Sequence, residues 1–72
     1  MFIDAIKLNM TESEVLSKLK EPALRETHNN CIYLFYLVQD PAKKSNCFLF
    51  LIKLQIKNTT KLPHVIAIKK LQ

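Results

Sequence analysis

No glycine occurs among the 72 residues of this chain. That absence excludes a glycine-rich phosphate cradle, whose backbone must approach its ligand without side chains in the way. Arginine is nearly missing, with Arg25 alone against ten lysines. Acidic residues are missing from the second half: residues 41–72 carry seven lysines and no Asp or Glu, whereas residues 1–40 carry four basic and six acidic residues. Long hydrophobic runs are missing too. "CIYLFYLV" (Cys31 to Val38) and "CFLFLI" (Cys47 to Ile52) are far shorter than the ~20 residues of a membrane-spanning helix. The opening "MFIDAIK" has an acid at Asp4 and no extended apolar stretch, so no signal peptide or lipidation cysteine is expected there. On that reading the protein stays where it is made, unless the sequence has been trimmed.

What is present suits one small α+β domain spanning 1–72, with nearly half its residues apolar. Thr11 precedes an apolar-periodic segment and Glu14 follows three residues later. This is the pattern of a capping box, with Met10 and Val15 placed for a hydrophobic staple. Val15, Leu16 and Leu19 form one stripe, and Pro22 stops the helix, which is expected at about 12–20. Phe2, Ile3 and Ile6 have helical spacing, which suggests a short turn before it; "FIDAIKL" also fits an edge strand. After the turn signal His28-Asn29-Asn30 the pattern changes to β-formers. "CIYLFYLV", "CFLFLIKLQIK" and "HVIAIKKLQ" read as three strands joined by loops too short for anything but antiparallel pairing. The helix stripe is expected on the face bearing Phe48, Phe50, Ile52, Leu54 and Ile56, with Lys53, Gln55 and Lys57 on the other. The predicted architecture is therefore an N-terminal helical segment on a three-stranded antiparallel meander.

Both long strands are apolar on their second face as well. Tyr33, Phe35, Leu49 and Leu51 fall on the side that one helix cannot cover, which marks them as candidate partner-binding residues, with lysines expected towards the other end of the sheet. Lys53, Lys57, Lys69 and Lys70 are the candidate residues for an anionic partner, with Tyr33 or Phe35 as stacking groups. No catalytic constellation is visible. His28 and His64 lack the spacing of metal ligands and read as turn or strand-edge residues. Ser13, Ser17 and Ser45 have no base nearby in sequence. If the two apolar strands pair through the intervening loop, Cys47 falls opposite Leu37 or Val38. Cys31 then lies seven residues away, about 23 Å along the strand, so no intramolecular disulfide is expected.

The residues Met10, Thr11, Glu14, Val15, Leu19 and Pro22, with Tyr33 and Tyr36 in the aromatic position, resemble the SmpA/OmlA-type domain of outer-membrane assembly lipoproteins. The layout is also similar to one half of the β-lactamase-inhibitor proteins. That family usually carries glycine before the Met-Thr pair and before the x-Pro pair; this chain has Asn9 and Lys20. Asparagine tolerates a positive φ, and lysine does so poorly. The resemblance implies a non-enzymatic domain that docks on a protein or at a membrane surface, without cofactor, metal or small-molecule substrate. It also implies a periplasmic, outer-membrane-associated setting if the sequence is trimmed, and a cytoplasmic one otherwise. Two functions follow: a protein-interaction module with a protein partner or a second copy as its ligand, and a small basic nucleic-acid-binding domain that uses the lysine-bearing sheet face. The scarcity of arginine and the lack of a glycine-rich RNA-recognition signature weigh against the second.

Overall fold

The computed structural model describes residues 3–72; the expectation for Phe2 lies outside them. A single 3-10 turn, Ile3–Ala5, replaces the alternative of an N-terminal edge strand. Helix α1 runs over Glu12–Leu19 and starts where the sequence places it. Thr11 Oγ1 accepts from the Glu14 amide at 3.3 Å, and the Thr11 amide donates back to Glu14 Oε1 at 3.2 Å, so the capping box is closed in both directions. Val15 and Leu19 are fully buried, and Met10 packs against the same core.

Four strands follow, β1 (Leu24–His28), β2 (Cys31–Gln39), β3 (Cys47–Ile56) and β4 (Pro63–Lys70), in the spatial order β1-β2-β3-β4 and all antiparallel. The expected meander of three is thus one strand short. β1 escaped the sequence because "LRETH" has no apolar alternation: all five residues are exposed, and the strand exists because a two-residue loop folds it back onto β2. Asn29, the first loop residue, takes the positive φ (55°) that such a tight reversal uses. The β2–β3 register also differs by one or two residues from expectation, since Cys47 lies opposite Gln39.

Every buried strand residue lies on one face. Ile32, Leu34, Tyr36 and Val38 of β2, Ile52 and Leu54 of β3 and Val65 of β4 meet Val15 and Leu19 of α1 and Ile6 ahead of it. The helix does sit on the face of Ile52 and Leu54, but Ile56 at its end is exposed and Phe48 and Phe50 are only half-buried. Length explains this. Eight helical residues span about 12 Å, whereas a ten-residue strand spans about 33 Å. The molecule measures 42 × 21 × 17 Å, and its thinnest dimension holds a sheet with a helix on one side only.

The N-terminal segment closes one edge. The Asn9 amide donates to the Val65 carbonyl and the Val65 amide to the Met10 carbonyl, with Thr11 bridging His64, so residues 9–11 cover the start of β4. The two non-glycine residues on either side of the helix both take positive φ, Asn9 at 73° and Lys20 at 66°. Lys20 has ψ −152°, which puts it in a region almost reserved for glycine. Two hydrogen bonds hold it there: its amide donates to the Leu16 carbonyl at 2.9 Å, and its carbonyl accepts from Tyr36 Oη at 2.8 Å.

Lys20→Gly should therefore stabilise the domain. Relief of about 1–3 kcal/mol of backbone strain outweighs about 0.5–1 kcal/mol of added freedom in the unfolded chain. Chemical denaturation checks this, and a midpoint that does not rise shows that Lys20 is unstrained. Tyr36 supplies a pH test. Burial, with a smaller contribution from the Glu12 carboxylate, raises its hydroxyl above the ordinary value of 10.0. A raised acid pKa favours the neutral form in the fold, so this stability is complete below about pH 10 and is lost as pH climbs through the folded-state value. Tyr36→Phe should cost about 1 kcal/mol at neutral pH and flatten the alkaline fall in stability. An equally steep fall in the variant would assign it to other groups.

Candidate functional site

The sheet face opposite α1 is the main candidate surface, and the strand pleat builds it row by row. Across the sheet, Leu24 (β1) aligns with Phe35 (β2), Leu51 (β3) and Lys69 (β4). One pleat step towards the β1–β2 loop the row reads Glu26, Tyr33, Lys53 and Ala67. One step the other way, Leu37 aligns with Leu49, whose backbone carbonyl accepts from the Leu71 amide. The four predicted partner-binding residues Tyr33, Phe35, Leu49 and Leu51 thus share one continuous face, with Phe35 directly opposite Leu51. Sequence reasoning missed Leu24 and Leu71 as neighbours of this patch. Leu24 belongs to the strand that was not foreseen, and Leu71 lies just past the end of β4. Leu37, on the predicted face, is 58 % exposed and Leu24 is 50 % exposed.

The predicted lysines do not form one patch. Lys53 lies on the open face with its ammonium 5.6 Å from the centre of the Tyr33 ring. Lys69 is on the same face but beside Leu51, so it flanks the apolar region and does not lie at the far end as expected. Lys70 is on the helix side, opposite Phe50, and stacks over the Phe48 ring at 4.0 Å. Lys57 leaves the sheet and donates to Asn9 Oδ1 at 3.2 Å. The expected continuous basic face breaks because Lys69 and Lys70 are adjacent in a strand and must point to opposite sides.

The strand edges are guarded. β1 is short and carries Arg25 and Glu26; Arg25 reaches across to Glu12 at 2.8 Å, a surface pair worth at most about 1 kcal/mol. β4 carries a bulge: Lys53 pairs with Ala67 and Leu54 with Val65, which leaves Ile66 as an extra residue. Beyond the bulge come Lys69 and Lys70, and before it lies the N-terminal segment. Edge-to-edge growth is therefore obstructed on both sides, while the open face is not.

A second feature, which sequence reasoning missed, is a cleft of about 620 Å³ on the helix side beyond the reach of α1. Phe48 and Phe50, edge to face at 6.5 Å, form part of its wall, with Asp4, Asp40, Lys44 and Lys70 around it. The readable signal was the mismatch between a short helix and a longer apolar strand face. His28 is exposed at the end of β1, and His64 Nδ1 lies 2.9 Å from the Leu62 carbonyl. Among the described residues, no three of His, Cys, Asp or Glu come together as a metal-binding set, and no helix is long and apolar enough to cross a membrane.

Cys31 and Cys47 are both free thiols. Their cross-strand partners, Gln55 and Gln39, place them eight strand positions apart, about 26 Å. Compared with protein-family models, characterised proteins and solved structures, the chain matches none. Two thiols per chain should titrate in denaturant without reductant. A monomer with neither thiol free would contradict the β2–β3 register.

Proposed function

We propose that this domain is a non-enzymatic protein-interaction module that docks through the open face of its sheet. The observation that carries this reading is one continuous apolar face, on which exposed Leu24 and Leu37 flank half-buried Phe35, Leu49 and Leu51, lying between two guarded edges. Fully burying one large apolar side chain is worth about 1.5–3 kcal/mol, so two exposed and three half-buried side chains on one surface favour a partner that covers what remains open. Soluble monomers rarely leave such a patch contiguous.

An envelope-associated role, of the kind the SmpA/OmlA-like stretch from Met10 to Pro22 implies, belongs to the same proposal. What supports it is local geometry: Asn9 and Lys20 take the positive φ that glycine serves in that family. The additional strand β1 is the feature that the family layout does not account for.

The test uses a fluorescent dye of hydrophobic surfaces at low protein concentration. Wild type should enhance its emission. Leu37→Lys and Leu51→Lys should each lower that signal, and far-UV circular dichroism should stay unchanged for Leu37→Lys, because exposed substitutions usually shift stability by only about 0.5 kcal/mol. A wild-type protein that leaves the dye dark would remove the open face as a docking surface.

A further inference from the structure

We infer that the occupant of the open face is a second copy of this chain, related by a two-fold axis that lies between the sheets and runs along the strands, between β2 and β3. This rests on the interaction reading above and adds the partner and its orientation. Two stacked sheets related by a two-fold axis have two aligned solutions: the axis runs along the strands or across them. The charges on the face choose between these.

With the axis along the strands, β2 faces the partner's β3 and β1 faces its β4. Phe35 then meets the partner's Leu51, and Leu37 meets the partner's Leu49, so the apolar centre is self-complementary. Tyr33 meets the partner's Lys53, which repeats the cation–aromatic pairing already made within each chain. Glu26, the acid of this face, meets the partner's Ala67 and lies one pleat step from the partner's Lys69. With the axis across the strands and centred on the same row, Lys69 faces the partner's Lys69 and Lys53 faces the partner's Leu49. The first solution also brings the two Lys53 residues to about 11 Å, but it sets each as near the partner's Glu26, whereas the second gives its facing lysines no acid on this face and is disfavoured.

Area sets the strength. Four strands at about 4.8 Å spacing and seven residues at about 3.3 Å give about 19 × 23 Å, or roughly 440 Å² of projected face per protomer. That is near half of the ~800 Å² per partner of a standard interface. The dimer is accordingly weak and concentration-dependent. The guarded edges stop it at two copies, since each chain has one open face.

The native cysteines report the axis directly, because both Cys31 and Cys47 alternate onto the open face and sit on the two central strands. With the axis along the strands, Cys31 lies about 11 Å from the partner's Cys31, and Cys47 equally far from the partner's Cys47, for sheets ~10 Å apart. With the axis across the strands, like cysteines are about 28 Å apart and only unlike ones approach.

The experiment combines sedimentation equilibrium with cross-linking by a bis-maleimide on a hexane spacer, which spans the shorter separation only. Wild type should pass from 8.4 kDa to twice that mass as concentration rises. The single-cysteine variants Cys47→Ser and Cys31→Ser should each still cross-link into dimers, and Leu51→Lys should stay monomeric and uncross-linked. Leu37→Lys is the second disrupting variant should Leu51→Lys fail to fold. Dimers that cross-link only when both cysteines are present would overturn the orientation. A wild type that remains monomeric into the millimolar range, yet binds the dye through Leu37 and Leu51, would overturn self-association and leave the interaction reading standing. A dimer unaffected by either lysine substitution would overturn both.

Discussion

The constraint on which this structure depends is coverage: eight helical residues must shield a sheet whose longest strand has ten. The helix is fixed at both ends and cannot grow. Thr11 and Glu14 close its start, and at its finish Lys20 leaves the helical region while Pro22 bars helical continuation through Glu21. The core is therefore local, gathered where Val15 and Leu19 meet Leu34, Tyr36, Ile52 and Leu54. The cleft beside Phe48 and Phe50 follows from that shortage of length, and the open second face from the helix layer lying on one side only.

Tyr36 joins the two ends of this arrangement. Its ring is buried among the core residues, and its hydroxyl reaches the Lys20 carbonyl, so the residue that packs the sheet also holds the helix exit in place. A buried tyrosine needs such a partner, because an unpaired hydroxyl in the core is costly. The strained exit is thus held by a hydrogen bond to the core.

Local chemistry was the part of the fold legible from sequence. The capping box was readable because its two hydrogen bonds join residues three apart. The face carrying Tyr33, Phe35, Leu49 and Leu51 was readable because alternation in a strand assigns faces without knowledge of the partner strand. β1 was not, since an edge strand with every side chain in water has no apolar pattern, and its existence depends on pairing with β2. The lysines were misjudged for a related reason. Their placement depends on the β3–β4 register, and "VIAI" is apolar at every position, so nothing in it marks which residues point inward.

The bulge at Ile66 sets the parity of everything after it in β4. With the extra residue, Ile68 packs against the core and Lys69 emerges beside Leu51. Without it, each later side chain would change sides: Ile68 would stand in the open patch and Lys69 would be driven under the helix layer. One unpaired residue thus decides whether the last strand presents a charge or a hydrophobe to whatever approaches the sheet. A deletion there would act as a frame error in three dimensions, altering the surface while leaving the composition almost the same.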